Sequence, residues 1–270
     1  MLLANRGPLI SANGADIKDQ TPVCRSHYNG RVARRRFFVD AIRGGGAELR
    51  GEEARHLTRV LRVEPGQRFE ISDNQQAWLA EVVEARGEHV RFQTVEPIAQ
   101  TPPPARITLC AALIKFDRFE WMLEKATELG VERMVPFEAA RTDKGLFEAA
   151  RKRVERWQRI ARETSQQCRR TRMPEILPAA RFTAALKEHA GHRYFLDEGD
   201  APPLLREIPE ERQETVALIT GPEGGWTEAE REAARGAGWT AVSLGPLVLR
   251  AETAVCAAVA VIQNAWLAAG

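Results

Sequence analysis

Between His89 and Pro97, Val90, Phe92 and Thr94 alternate with Arg91 and Gln93. A two-residue period is that of a strand with one buried face. Arg36–Asp40, Arg68–Ser72 and Ala77–Ala85 carry the same texture. Turn signals separate them at Pro65-Gly66, Asp73-Asn74 and Arg86-Gly87-Glu88. Glu52–Leu61 places Ala54, Leu57 and Leu61 at helical spacing, and Gly44-Gly45-Gly46 reads as a hairpin turn. The pattern predicts a small β-rich domain over residues 35–103, expected to close as a barrel. Residues 1–34 show no periodicity and are expected to form a poorly ordered extension.

Thr101-Pro102-Pro103-Pro104 reads as a linker, and beyond it the pattern becomes strand–helix alternation. Predicted strands are Ile107–Ile114, Val131–Phe137, Arg193–Leu196, Val216–Thr220 and Thr240–Leu244. Predicted helices are Asp117–Leu129, a long basic Leu146–Cys168, Thr183–Ala190 and Glu252–Ala268. Asp117 and Glu120 have capping-box spacing, and Gly130 supplies the stop. Apolar strands alternating with helices predict an α/β fold, a parallel sheet covered on both faces, over residues 104–270.

Composition narrows the classes. The 270 residues are 44% hydrophobic and 28% charged, which excludes disorder over most of the chain. The longest apolar run, Ala254–Ile262, falls far short of the roughly 20 residues that span a bilayer, so no membrane role is expected. Net charge is only +2, yet 33 of the 39 basic residues are Arg. Codon bias would give the same total, so local clustering carries the information. Residues 151–172 hold nine basic residues against two acids, and residues 31–62 hold nine against four. A solvated helix face is one reading of the first cluster, and a polyanion partner is the other. Cys24, Cys110, Cys168 and Cys256 form no CxxC pair. Neither disulfides nor zinc is expected, and the chain reads as cytoplasmic. The N-terminal MLLANRGPLI is too short an apolar run for a signal peptide. His189-x-x-His192 reads as a surface pair. No GxGxxG after a strand, P-loop or GxSxG occurs.

Two segments concentrate candidate chemistry. In Leu218-Ile-Thr-Gly-Pro-Glu-Gly-Gly-Trp-Thr-Glu-Ala-Glu230 an apolar strand runs into a glycine-rich loop, and Thr227 and Glu230 form a capping box for a following helix. Such a loop lets backbone approach a ligand beyond a strand's carboxyl end. In Ser243-Leu-Gly-Pro-Leu-Val-Leu-Arg-Ala-Glu-Thr-Ala254 a second strand breaks at Gly245-Pro246. Arg250 and Glu252 then open an almost uncharged helix. Glu252 suits a helix N-terminus; a cation there does not, so Arg250 is expected to meet an anion or an internal Glu.

Seven segments together resemble one family: Arg36-Phe-Phe-Val, His56-Leu-Thr-Arg-Val-Leu-Arg62, Lys115-Phe-Asp-Arg118, Glu124-Lys-Ala-Thr-Glu-Leu-Gly-Val131, Arg156-Trp-Gln-Arg-Ile-Ala161, Gly221-Pro-Glu-Gly-Gly225 and Leu244 through Ala254. In this order, from about Arg35 to the C-terminus, they resemble the bacterial 16S ribosomal RNA uridine-N3 methyltransferases (RsmE type) of the SPOUT superfamily. The resemblance implies a C-terminal α/β trefoil-knot domain, an N-terminal PUA-like β-barrel for RNA, and a homodimer without metal. It implies S-adenosylmethionine as cofactor and a uridine of 16S rRNA in the small ribosomal subunit as substrate. It places Leu196, Thr220, Gly221, Glu223, Gly224, Ser243, Leu244, Gly245, Leu249 and Thr253 at the cofactor. Arg36, Arg59, Arg62, Lys115, Arg118, Gln167 and Arg170 are the expected RNA contacts. Arg250 is the expected cation for charge developing on uracil, and Glu223 or Glu252 could accept the N3 proton or hold the base. The match departs at Gln166-Gln167-Cys168-Arg169-Arg170, where the family commonly has Glu-Gln-Ser/Cys-Gly-Arg. Another SPOUT RNA methyltransferase, or a non-enzymatic RNA-binding assembly protein, are the alternative readings.

Overall fold

The computed structural model describes residues 32–211 and 215–267. The expectations for residues 1–31 and for Cys24 lie outside them. The N-terminal region forms a six-stranded sheet from β1 (Val32–Phe38), β2 (Ile42–Arg43), β3 (Gly46–Arg50), β4 (Arg68–Ser72), β5 (Ala77–Arg86) and β6 (His89–Pro97), with α1 (Glu52–Arg59) between β3 and β4. Its order is β1-β4-β5-β6-β3-β2, antiparallel except for β1 against β4. The strand begins at Val32, so 32–34 belong to the sheet rather than to an extension. The predicted alternation holds: Val90 and Phe92 are buried and Arg91 is exposed. They join Phe37, Ile71, Val82 and Leu57 in one core. Gly44 and Gly45 make the β2–β3 turn with φ of 57° and 78°.

The second region holds β7 (Arg106–Ala112), α2 (Phe116–Glu128), β8 (Arg133–Glu138), α3 (Leu146–Ala150), α4 (Val154–Gln167), β9 (Glu175–Ile176), β10 (Ala180–Arg181), α5 (Phe182–Ala185), β11 (His192–Leu196), α6 (Leu204–Glu207), β12 (Thr215–Thr220), α7 (Glu228–Gly236), β13 (Thr240–Val242) and α8 (Ala251–Leu267). Its strands run β10-β8-β7-β12-β11-β13, with β9 beside β8, and every pairing is parallel. Alternate residues feed two cores. Ile107, Leu109, Val216 and Leu218 face α2, α4 and α8. Cys110, Ala217 and Ile219 face α5 and α7. Burial on both faces is why these strands read as unbroken apolar runs, each buried large side chain contributing about 1.5–3 kcal/mol.

Three local expectations are corrected. The helix expected over 146–168 is two helices, because the chain tightens at 151–153 through Lys152 N–H to Ala149 O (3.2 Å) and Arg153 N–H to Ala150 O (2.9 Å). Arg153 then reaches Glu120 at 3.2 Å and covers the Phe116 ring, tertiary contacts that helical spacing does not encode. The Asp117–Glu120 capping box is absent. Helix α2 starts at Phe116 with Lys115 at its N-cap, and Glu120 instead binds Arg153 and Arg156. The helix expected over 183–190 stops at Ala185. The carbonyl of Leu186 is taken by the Trp239 indole N–H at 3.1 Å.

A polar seam joins the two regions. Arg162 makes a bidentate pair with Glu53 and donates to Phe38 O, while Gln166 accepts from Arg35 and donates to Glu53. Arg169 and Arg36 both bind Glu70. Much of the acid deficit of residues 151–172 is thereby met by Glu53, Glu70 and Glu120 from elsewhere in the chain.

Candidate active site

The loops that follow β11, β12 and β13, three adjacent strands, meet the start of α8 around a cleft of about 270 Å³. In open parallel sheets ligands bind beyond the strands' carboxyl ends. Its apolar lining includes Leu196, Val242, Leu244, Leu249, Ala251 and Ala254, and Asp197, Glu198 and Glu223 line it as well.

The loop after β12 is shaped by what lies beneath it. The Trp226 ring stacks on Phe195 at 4.4 Å and its indole N–H donates to Leu196 O at 2.8 Å. A Cβ on Gly221 would stand 2.8 Å from that ring, so the close approach needs glycine. Gly225 has φ of 70°, and its Cβ would meet Glu198 at 2.5 Å. Gly224 does not line the cleft; its carbonyl accepts from Arg141 at 2.9 Å. The Thr227–Glu230 capping box is present. Glu230 also accepts from the N–H of Ala140 at 2.8 Å, tying α7 to the loop after β8.

Of the sequence-predicted cofactor residues, Leu196, Thr220, Gly221, Glu223, Ser243, Leu244, Gly245 and Leu249 come together in this cleft. Gly224 and Thr253 do not line it. Arg250 lines it, is exposed and makes no ion pair among the described residues; its carbonyl receives the Ala254 N–H at 2.8 Å, so it caps α8. Glu223 is paired with Arg118 from α2, which brings Arg118 into the cleft wall. Glu252 sits in the first turn of α8, outside the cleft lining. It is 7% exposed, and its Oε2 has no hydrogen-bond partner among the described residues.

Sequence reasoning missed Asp197, Glu198 and Arg231. Asp197 takes a bidentate pair from Arg231 on α7, at 2.8 and 3.0 Å. Burial pushes its carboxyl up, but the Arg231 guanidinium and the N–H groups of Gly199 and Glu198 outweigh that and hold it below its ordinary value. The available signal was two acids directly after an apolar strand.

Arg59 is exposed at the end of α1 and Arg62 beyond it, Lys115 is exposed at the N-cap of α2, and Gln167 is exposed at the end of α4. Arg36 and Arg170 are placed otherwise. Arg36 is 5% exposed and spends its donors on Glu70 and Thr171. Arg170 donates to the carbonyls of Thr127 and Val131, both at 2.8 Å, and burial holds its pKa down. Neither stands as a surface donor for phosphate. His189 is exposed and His192 stacks on Tyr194. Cys110, Cys168 and Cys256 are free thiols, and no described helix is long and apolar enough to cross a membrane.

Residues 101–263 match the model of an RNA methyltransferase domain, and residues 49–95 that of an RNA methyltransferase PUA domain. The ribosomal RNA small subunit methyltransferase E of Mycobacterium tuberculosis is 30% identical over 243 residues, covering 85% of this chain and 92% of that protein. The Bacillus subtilis protein of that name is 28% identical over 247 residues, covering 84% and 95%. Among solved structures, the Neisseria gonorrhoeae ribosomal RNA small subunit methyltransferase E bound to S-adenosylmethionine superposes with a TM-score of 0.78 at 29% identity, covering 86% of this chain and 98% of that one. A Legionella pneumophila protein in complex with the same cofactor gives 0.76 at 28% identity, covering 85% and 97%.

Proposed function

The chain belongs to the ribosomal RNA small subunit methyltransferase E family, and on that premise we propose that it methylates uracil N3 of a uridine in 16S rRNA, using S-adenosylmethionine. The observation that carries the reading is the convergence of the Gly221–Trp226 loop and the Ser243–Arg250 loop on one cleft at the ends of three parallel strands.

The cleft fits the cofactor. Gly221 and Gly225 hold this backbone close against Trp226 and Glu198, where a Cβ would clash, and so set the path of the loop along the cleft. The apolar lining of Leu196, Leu244 and Leu249 suits an adenine ring, and the carboxylates of Asp197, Glu198 and Glu223 suit hydroxyls and a cationic ligand. Bound there, S-adenosylmethionine supplies an electrophilic methyl group on a sulfonium.

The remaining chemistry falls to this chain. Uracil N3 is a Watson–Crick donor, so the target base must be unpaired to react. Its deprotonation leaves negative charge on the uracil oxygens, which Arg250 stabilises. Glu223 lines the cleft and accepts the N3 proton; Glu252, outside the lining, does not touch the base. Arg118, through its pair with Glu223, orients that carboxylate. Arg59, Arg62, Lys115 and Gln167 are the RNA contacts. Arg36 and Arg170 instead hold the fold.

The same reading takes residues 35–103 as a PUA-like β-barrel and 104–270 as a trefoil-knot domain. Exposed Leu247 and Val248, at 78% and 80%, and the partly exposed apolar side of α8 support a homodimer. The cytoplasm, where ribosomes assemble, is its location.

The test uses the full chain, labelled S-adenosylmethionine, and 16S rRNA or small subunits lacking the modification. N3-methyluridine identified by mass spectrometry is the expected product. A different methylated nucleoside would overturn the base assignment, and a folded protein that does not bind the cofactor would overturn the enzyme reading.

A further inference from the structure

Beyond α1 the chain carries two adjacent large apolar side chains in solvent: Val60, 65% exposed, and Leu61, 46% exposed. They do not sit on a frayed end. Val60 and Leu61 both donate their N–H to His56 O, at 2.9 and 3.1 Å, and Val63 donates to Leu57 O at 3.1 Å. Leu57 and Val63 are buried on either side, and Ala54 lies in the same core. The helix is tied to the β5–β6 turn by Thr58, which donates to Gly87 O, and by the Arg55–Glu88 pair. Arg62 turns the chain in the left-handed region, φ 50°. A firm platform thus holds an apolar pair outward.

The rim of this tip is cationic. Arg59 and Arg62 are exposed, and neither makes an ion pair among the described residues. Elsewhere on this chain exposed arginines do find acids, as Arg50 with Glu48 and Arg91 with Glu84 do. An apolar pair framed by unpaired cations complements a polyanion that also offers flat apolar faces. Single-stranded RNA has both: phosphates for the guanidiniums and unstacked bases for the side chains between them. In a duplex those faces are hidden, leaving only backbone for the arginines.

We propose that Val60 and Leu61 form an apolar wedge that packs against an unpaired base of the RNA substrate, with Arg59 and Arg62 gripping the flanking phosphates. The proposal rests on the RNA-methylating reading for its partner class. It adds that the N-terminal region recognises an unstacked nucleotide rather than duplex shape alone.

The test compares the full-length parent, a Val60→Ser/Leu61→Ser double variant and an Arg59→Gln/Arg62→Gln double variant. The probes are two fluorescein-labelled RNAs: a hairpin with an unpaired four-nucleotide loop, and a blunt duplex of the same stem. Binding is read by anisotropy across a KCl series. All four side chains are exposed, so the variants are expected to fold, and thermal unfolding checks this. The apolar variant should lose roughly tenfold affinity for the hairpin, keep its affinity for the duplex and keep the parent salt slope. The arginine variant should weaken on both RNAs and lower the salt slope by about 1 to 2. Parent-like hairpin binding by a folded apolar variant would overturn the wedge and leave the tip to a protein partner. Equal loss on hairpin and duplex would overturn it too, by assigning the tip to backbone contact. Methyl transfer, measured separately, keeps the readings apart. Turnover with no hairpin preference sinks the wedge alone; the preference without methyl transfer to any RNA sinks the methylation reading alone.

Discussion

Arg169, in the turn after α4, donates from Nε to the carboxylate of Glu70 on β4 at 3.1 Å, so a group only 1% exposed is shared with Arg36 from β1. Arg169 holds a left-handed backbone, φ 61°. Its neighbour Arg170 points the other way, into the carbonyls at the end of α2. One turn therefore grips both regions of the chain, using a position where the resembling family commonly has glycine.

The two ends of that grip should differ in cost. Glu70→Gln strips a buried carboxylate from a buried Arg36 and is expected to destabilise by about 3–5 kcal/mol. Arg169→Gly removes a side chain that is 47% exposed and relieves a left-handed backbone that costs a non-glycine residue about 1–2 kcal/mol. Its net effect should stay within about 1 kcal/mol. Urea unfolding of both variants measures the contrast, and equal losses would refute it.

Gly221→Ala forces a methyl group against the Trp226 ring beneath the cleft. S-adenosylmethionine affinity should fall at least tenfold, about 1.4 kcal/mol, with only a modest loss of stability. Calorimetric titration paired with thermal unfolding reads both quantities, and unchanged affinity would show that the cofactor does not lie on this loop.

Arg250→Ala removes an exposed cation that no described acid pairs with. Turnover should drop by roughly 10²–10³ fold while cofactor affinity and the mass in solution stay at parent values. Single-turnover kinetics at saturating RNA is the measurement, and undiminished turnover would remove Arg250 from the mechanism.

Asp197 is held below its ordinary pKa chiefly because Arg231 and backbone N–H groups outweigh the effect of its burial. A carboxyl whose pKa is lower folded than unfolded contributes stability above its unfolded value, about 3.9. That contribution is lost as pH falls through the lower folded value. The stability gap between the parent and Asp197→Asn should therefore be full at neutral pH and shrink below about pH 4. Chemical unfolding at a series of pH values tests this, and a gap that widens toward acid would reverse the assignment.

The sequence by itself determined the longer elements and their order, though not the break between α3 and α4 or the short β9, β10 and α6. Alternation along His89–Pro97 and the apolar runs at Ile107 and Val216 report local burial, a property each residue carries with it. Gly221 through Glu230 declared both a loop and a helix start because glycine conformation and side-chain capping act within a few residues. Tertiary structure decided which charges are used up. Nothing near residue 169 in sequence states that Glu70 waits for it, that Glu120 and Glu53 neutralise a basic helix, or that Arg36 and Arg170 are internal while Arg59 and Arg62 are free of acid partners among the described residues. Asp197 joined the cleft, and Glu252 left it, for the same reason. Which parallel strands lie side by side is set by packing both faces of the sheet at once, and the loops at their ends become one site only after that choice is made.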